Sequence, residues 1–567
     1  MQPSLRKRWR ILDRIPAELD EQFNGYSPLL RQLLYNRQIA GAESAHAFLT
    51  TSGSLHDPFL LLDMEAAVER ILWAIDCHEP IAVYGDYDVD GVTATALLVQ
   101  VLRRMGGEAS GYIPNRFDEG YGLNNEALEN LYQEGIRLVI TVDCGIRSPR
   151  EAELARQLGM DLIISDHHEP LEEIPVTRAV VCPKRPGDTY PEKNLAGVGL
   201  AYKIAEALLT RRPMPGFTQD DWLDLVAVGT VADVVPLVGE NRSLVRAGLH
   251  YLRYSQRQGI RSLAGVSGWR IEAATARDIG FLLGPRLNAA GRLESALASF
   301  DLLMCDDLST AGLLAQKLDD QNRQRQDLTR QMQETAEQLE PVGEDDFLVF
   351  ASDPSFNMGV VGLVASRLTE AYYRPAVIAA VCEKYTRGSC RSIPEFHITH
   401  ALDECADLLV RHGGHAMAAG FTVENEKLAE LAARLKSIAA RELAAQDLRP
   451  VLTADMEIQL RDLKPAILNE IDLLEPTGLG NPGVLFVSRG LKVLRYRKVG
   501  SDGQHLRLTV SDGKIIYDAI AFRMGCWAEE MPAYVDLLYT FEQNYYNGRV
   551  SLQLGVRDLK PSGEPDE

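Results

Sequence analysis

Ile81-Ala82-Val83-Tyr84-Gly85-Asp86-Tyr87-Asp88-Val89-Asp90-Gly91 passes from four apolar residues into a glycine-bounded loop that carries three carboxylates. The apolar run reads as a buried strand, and Thr93 to Met105 after it has helical spacing. Working outward, the same alternation repeats. Met64 to Cys77 and Glu151 to Leu158 have helical spacing. Leu138-Val139-Ile140-Thr141-Val142, Leu162-Ile163-Ile164 and Ala179-Val180-Val181 are further strand-like runs. Strand and helix in alternation predict an α/β fold with a parallel sheet covered on both faces. Such sheets hold ligands beyond the C-terminal ends of their strands. Asp88, Asp143 and His167 each follow an apolar run within a few residues.

The chemistry of these loops points to a metal. In an extended loop, Asp86, Asp88 and Asp90 point the same way and would repel one another without a cation. A calcium EF-hand needs a bidentate Glu at its twelfth position; counted from Asp86 that position is Leu97, so this reading fails. Asp90 also suits a helix cap. Asp143, in Val142-Asp143-Cys144-Gly145, would on its own be a turn former. His167 and His168 follow Asp166 at the end of an Ile-Ile run, and suit one metal ligand and one hydrogen-bond donor to phosphate. Asp233 sits in Gly229-Thr230-Val231-Ala232-Asp233-Val234-Val235-Pro236, where a charge needs either a buried ion pair or coordination. Carboxylate with imidazole is a ligand set for Mg²⁺ or Mn²⁺, which predicts metal-assisted hydrolysis of a phosphate ester. Neither a Gly-x-Ser-x-Gly elbow nor a P-loop is present, which argues against acyl hydrolases and nucleotide triphosphatases.

Bulk properties set the frame. A chain of 567 residues suggests about three to four domains. Its net charge of −21 argues weakly against a polyanionic partner, although binding depends on local grooves rather than the sum. Eight scattered cysteines with no CxxC pair read as reduced thiols of a cytoplasmic protein. The basic start, Met1 to Arg10, lacks an apolar run after it, so no secretory signal is expected. No apolar stretch reaches the roughly 18 residues of a membrane span.

Three further segments carry candidate binding groups. Gly284-Pro285-Arg286-Leu287-Asn288-Ala289-Ala290-Gly291-Arg292 is either a surface turn or a phosphate clamp, since Arg contacts phosphate in a bidentate way. Arg387-Gly388-Ser389-Cys390-Arg391-Ser392 and Gly413-Gly414-His415-Ala416-Met417-Ala418-Ala419-Gly420 read as glycine-rich turns that allow close approach of a backbone, with a helix N-terminus following. Beyond residue 450 the alternating runs Leu506 to Val510 and Val550 to Leu554 are separated by turns at Gly500-Ser501-Asp502-Gly503 and Asn547-Gly548, which predicts a small β-barrel. Arg489, Lys492, Arg495, Arg497 and Lys498 lie there within ten residues free of acid, with Tyr496 among them. Tyr517, Phe522, Trp527, Tyr539, Phe541, Tyr545 and Tyr546 follow. Basic groups among aromatics suit single-strand binding, or else a barrel core beside a solvated basic strand.

Together GDYDVDG, VDCG, SDHH, ADVVP, GPRLNAAGR and GGHAMAAG resemble the motif set of the DHH phosphoesterase superfamily over roughly residues 65–560, in the order found in its single-strand-directed exonucleases. The resemblance implies two α/β lobes, a DHH domain and a DHH-associated domain, joined by a long helix, plus a C-terminal all-β OB-fold. From the residues themselves, 1–60 reads as a polar helical extension, 306–340 as a polar, Gln-rich linker helix and 561–567 as a disordered tail; the resemblance makes 61–305 the catalytic domain, 341–447 the DHH-associated domain and 448–560 the OB-fold. It further implies two divalent ions, Mn²⁺ or Mg²⁺, held by Asp88, Asp90, Asp143, His167 and Asp233, with Asp143 bridging. For Asp86 it leaves direct and water-mediated binding open, and for His168 a place beside the ligands or on phosphate. Arg286, Asn288, Arg292, Ser389, Arg391, Gly414 and His415 would contact the strand, those of the DHH-associated domain from across a cleft. The implied activity is 5′→3′ hydrolysis of single-stranded DNA to mononucleotides, in DNA repair and recombination. Single-strand binding protein and a helicase are the implied partners of a monomer. The alternative is an oligoribonuclease or small-nucleotide phosphodiesterase of the same superfamily, which would have no use for the barrel.

Overall fold

The computed structural model describes residues 6–50, 55–116, 119–120, 122–343, 345–546 and 549–566. They form two compact units, residues 46–325 with 474–482, and the remainder. The first unit is built on a parallel five-stranded sheet in the order Ala109–Tyr112, Ile81–Tyr84, Leu138–Val142, Asp161–Ser165, Ala179–Val181. Strand residues alternate between two cores, as a two-residue period requires. Ile81, Val83, Leu138, Ile140, Val142 and Ile163 face one core; Ala82, Tyr84, Val139, Leu162, Ile164 and Val180 face the other. Each fully buried aliphatic side chain contributes about 1.5–3 kcal/mol, so the register is strongly specified. Four of these strands are the four apolar runs of the sequence. The fifth, Ala109–Tyr112, was not anticipated: Ser110-Gly111 interrupts its apolar pattern. A Cβ at Gly111 would come 2.4 Å from the Phe300 ring, so the break is a packing requirement.

In the second unit, a mixed sheet runs in the order Leu409–His415, Ala418–Glu424, Tyr385–Arg391, Ala376–Val381, Val349–Asp353. A six-stranded sheet follows, and Phe486–Val499 closes on Tyr534–Tyr546 to make the expected barrel. The helix Leu308–Leu339, whose residues fall partly in each unit, lies within the 306–340 stretch expected as the linker helix.

Three expectations are corrected here. Residues 8–11 are a strand, not part of a helical extension. Arg8–Ile11 pairs in parallel with Val451–Ala454, and Trp9 is buried with Ala454, Val487 and Leu538 while its Nε1 donates to Asp558 at 2.7 Å. Four residues were too few to show a period. Helices do form at Pro28–Asn36 and Gly41–Thr50. Second, the tail is ordered through Asp566: the strand Arg549–Pro561 extends into it, and Asp566 accepts from Arg489 and pairs with Lys560. Third, Arg387 to Arg391 lies within a strand, and Gly413 to Gly420 is a hairpin whose two strands are joined by a turn at Ala416-Met417, so neither is a glycine-rich turn ahead of a helix. The Asn547-Gly548 turn and the side chains of Tyr545 and Tyr546 lie outside the described residues, as do residues 1–5 and 51–54 of the N-terminal segment and Glu567 of the tail.

Candidate metal centre

All seven acidic and imidazole candidates converge at the C-terminal edge of the parallel sheet. Asp86 and Asp88 follow Ile81–Tyr84, Asp143 follows Leu138–Val142, and His167 and His168 follow Asp161–Ser165. Asp233 ends the helix Leu223–Ala232. Their ligand atoms form three sets, each within 4.8 Å: Asp86, Asp88 and Asp143; Asp90, His167 and Asp233; Asp143, His167 and His168.

Backbone geometry aims these groups. Asp88 caps the helix Val89–Arg104, its Oδ1 accepting from the Gly91 N–H at 3.0 Å, which takes the capping role away from Asp90. Asp90 lies inside that helix and accepts from the N–H groups of Gly197 and Val198 at 2.6 and 2.8 Å. Those N–H groups begin the helix Gly197–Arg211, whose N-terminus favours a carboxylate. The approach requires glycine: a Cβ at Gly197 would come 2.5 Å from the Asp143 Cβ. Asp143 has φ of 62°, a left-handed conformation that Asp tolerates.

His167 Nε2 lies 3.1 Å from Asp143 Oδ1, 3.5 Å from Asp233 Oδ2 and 4.0 Å from Asp90 Oδ2. Yet His167 Nε2, Asp143 Oδ1 and Asp86 Oδ1 are buried without a hydrogen-bond partner among the described residues. Buried polar atoms are rarely left so. Carboxylate oxygens and an imidazole nitrogen converging on one another, three of them without a hydrogen-bond partner among the described residues, is the arrangement a cation satisfies, and the ligand set is that of Mg²⁺ or Mn²⁺.

The titration of the site says the same. Burial, followed by the charge of Asp88, pushes Asp90 up to about 7. Burial, then Asp90 and Asp88, push Asp233 up to about 9. Asp86 and Asp143 rise well above the carboxylate range, chiefly through burial. His167 is lowered to about 3 by burial, which keeps its ring neutral and able to ligate. His168 is different. Burial, the largest single cause, would lower it, but the 2.8 Å bond from its Nδ1 to Asp166 Oδ1 together with the charge of Asp166 outweighs that and raises it. Asp166 was not singled out in the sequence. It also accepts from the Ile146 N–H at 2.9 Å and so ties the Asp143 loop to the histidine loop; its place between an apolar strand and two histidines was the available signal.

The segment from Gly284 is a helix, Gly284–Leu293, rather than a turn. Asn288 and Arg292, four residues apart, share a face. Gly291 abuts the Tyr87 carbonyl, where a Cβ would come to 2.7 Å, so this helix packs on the carboxylate loop. Arg286 points elsewhere: its Nε donates to Asp319 at 2.8 Å and its Nη1 to the Leu282 carbonyl. Arg116, also not singled out, sits 4.7 Å over the Tyr87 ring.

In the other unit, Ser389 and Arg391 lie on one face of Tyr385–Arg391, with Arg391 Nη1 donating to Ser389 Oγ at 3.2 Å. Both pack against Gly362 in the first turn of the helix Val361–Tyr372, where a Cβ would meet each at 3.1 Å. Arg391, Ala418 and His415 occupy one row across three strands. Gly414 has φ of 152°, and a Cβ there would meet the Ala418 carbonyl at 2.3 Å. On the barrel the basic cluster divides. Arg489 is held by Glu457, Asp536 and Asp566, and Lys498 by Glu529. Arg495 and Arg497 line a groove of about 650 Å³ with Tyr496, Arg507, Thr509 and Asp518. Tyr496 and Phe522 are exposed, whereas Tyr539 and Phe541 belong to the interior.

Comparison with known proteins agrees with this layout. Family models described as the DHH family N-terminal domain, the DHHA1 domain and the RecJ OB domain match residues 80–230, 345–441 and 454–558. The chain is 39% identical over 565 residues to a protein of Bacillus subtilis named single-stranded-DNA-specific exonuclease RecJ, covering 98% of this chain and 71% of that one. The crystal structure of RecJ from Thermus thermophilus in complex with Mn²⁺ superposes with a TM-score of 0.86 at 30% identity, over 98% of this chain and 80% of that one. The Mg²⁺ complex of the same protein gives 0.80 at 29% identity, over 98% and 79%.

Proposed function

This chain belongs to the RecJ family, whose named members are single-stranded-DNA-specific exonucleases, and from that premise we propose that it degrades single-stranded DNA from the 5′ end to mononucleotides, using two divalent cations, in DNA repair and recombination. The observation that carries this reading is the convergence of Asp86, Asp143 and His167 with buried ligand atoms that have no hydrogen-bond partner among the described residues.

Asp88, Asp90, Asp143, His167 and Asp233 would hold Mn²⁺ or Mg²⁺, with Asp143, common to two of the ligand sets, shared between the ions. Two such ions, when bound, offset charge on the phosphate oxygens and acidify water at neutral pH. The chain's own groups do the rest. Neutral His167 presents Nε2 as a lone-pair donor. Asp90, locked by the Gly197 and Val198 N–H groups, cannot swing away. His168, its Nδ1 bonded to Asp166 and its pKa raised, would as an imidazolium give a hydrogen bond to phosphate from Nε2. Asn288 and Arg292 face the strand beside the carboxylate loop. Arg286, engaged with Asp319, acts by holding its helix in place. Ser389, Arg391, Gly414 and His415 contact the strand from the DHHA1 domain. The groove of Arg495, Tyr496 and Arg497 grips it by charge and stacking. Segments 61–305, 341–447 and 448–560 would serve these three roles, with 474–482 packing with the first of them.

No helix of the described residues is long and apolar enough to cross a membrane; a cytoplasmic monomer working with single-strand binding protein and a helicase fits the proposed substrate. The deciding assay uses strands and duplexes labelled at one end or the other, with Mn²⁺, Mg²⁺ or chelator. Mononucleotide release from the 5′ end of single strands only, abolished by chelator, is the expected result. Cleavage confined to short oligoribonucleotides or cyclic dinucleotides would reject it.

A further inference from the structure

The candidate ligand Asp233 stands on an unusual turn. Val234, next to it, has φ of 62°, a left-handed conformation, and is 64% exposed. A β-branched residue adopts that conformation only where its surroundings impose it. The helix before the turn ends at Ala232. What holds the far side comes from far along the chain, in the segment Leu474–Pro482, which belongs to the same compact unit.

This segment is a clip of polar backbone. The Leu237 N–H donates to the Leu479 carbonyl at 2.7 Å. Gly480, with φ of 75°, lies against Pro236, where a Cβ would come 3.3 Å from the proline Cβ. Gly478 lies against Leu237, where a Cβ would come to 2.8 Å. Two buried side chains shape the clip. Arg242, 2% exposed, gives Nη1 to the Leu474 and Pro476 carbonyls and Nη2 to the Glu475 carbonyl, at 2.8, 3.1 and 3.0 Å. Asn481, 1% exposed, gives Nδ2 to the Leu474 and Pro476 carbonyls, both at 2.8 Å. Asn241 fastens the turn from the other side, donating to the Pro236 carbonyl at 3.2 Å.

We infer that Leu474–Pro482, shaped by Arg242 and Asn481, is a positioning element for the reaction: it fixes Pro236 and Leu237, holds Val234 in its left-handed state, and so keeps Asp233 aimed at His167 and Asp90. The clip acts through the turn, much as outer groups orient ligands in other metal sites. The inference rests on reading Asp233 as a metal ligand. It also makes the ligand set of the catalytic unit depend on a segment that immediately precedes the barrel strand Phe486–Val499 in the chain.

The test is Mn²⁺ binding to the full-length protein, followed by electron paramagnetic resonance of the free ion, beside thermal unfolding without metal. Asn481→Ala, Gly480→Ala and Asp233→Asn are compared with the parent. Gly480→Ala, strained at φ of 75° but keeping the side chains of Arg242 and Asn481, perturbs the clip in a second way should Asn481→Ala fail to fold. About tenfold weaker Mn²⁺ binding is expected for both clip variants at temperatures where they are folded, with kcat on a single strand falling and KM unchanged. Parental Mn²⁺ affinity in the folded clip variants, whatever their unfolding temperature, overturns the positioning role. If those retain affinity while Asp233→Asn loses it, the clip alone is wrong. If Asp233→Asn also binds Mn²⁺ like the parent, Asp233 is no ligand and both readings fall.

Discussion

Asp143→Asn tests the electrostatics of the centre more sharply than removal of the side chain would. Asn adopts the left-handed conformation that position 143 requires as readily as Asp does, so the backbone is preserved and only charge changes. The ligand oxygens of Asp86, Asp88 and Asp143 lie within 4.8 Å of one another. At an effective dielectric of about 20, each ionised pair at that distance repels by roughly 3.5 kcal/mol. Proton sharing among the raised carboxylates relieves most of this already, which leaves a gain of about 2 kcal/mol when the Asp143 charge is removed. For a unit of this size that is an increase of about 4 °C in the unfolding temperature of metal-free protein. The same substitution withdraws the carboxylate common to two ligand sets, so Mn²⁺ should no longer raise the unfolding temperature, and exonuclease activity should fall by more than about 100-fold. Differential scanning calorimetry at pH 8, with chelator and with Mn²⁺, reads both effects. A variant less stable than the parent without metal, yet still stabilised by Mn²⁺, would refute the claim that these carboxylates are gathered for a cation.

Other consequences are separable. Asp90 at about 7 and Asp233 at about 9 lie above the ordinary carboxylate value, so in metal-free protein their contribution to stability is full below about pH 4 and is lost as pH rises through 7 and 9. Mn²⁺ must displace those protons, so the rise in unfolding temperature that Mn²⁺ produces should grow between pH 6 and pH 9; a flat profile by calorimetry counts against it. Gly197→Ala places a methyl 2.5 Å from the Asp143 Cβ and should lower both stability, by about 1–3 kcal/mol, and Mn²⁺ affinity, read by denaturant melts and metal titration. Arg489→Ala should destabilise the protein while leaving the KM for single strands near the parental value, because Arg489 is spent on Glu457, Asp536 and Asp566. Arg495→Ala with Arg497→Ala should do the reverse, raising KM and flattening its salt dependence with no change in melting.

What could be read from sequence and what could not differ by the range over which the information is written. Three of the candidate ligands, Asp88, Asp143 and His167, were legible because each follows an apolar run that reads as a strand on its own, and strand ends in a parallel sheet share one edge. Asp88, Asp143 and His167 needed no knowledge of their partners. The partners themselves were not legible. Asp90 is fixed by Gly197 and Val198, 107 and 108 positions away, and Gly197-Val198-Gly199 looks like any run of small residues until a second helix is laid against it. The same holds for the basic cluster of the barrel: five cations in ten residues look alike, yet Arg489 is occupied by acids from three distant segments while Arg495 and Arg497 line a groove. Trp9 gives no strand signal because the residues it is buried among, Ala454, Val487 and Leu538, lie hundreds of positions further along the chain. A charge or a strand whose environment is supplied by its own neighbours can be recognised one segment at a time; one whose environment arrives from elsewhere in the chain carries its meaning only after folding. Asp233 belongs to both classes. Its acid in an apolar run announced a ligand, while the segment that holds its turn, more than 230 residues on, bore no local mark of that task.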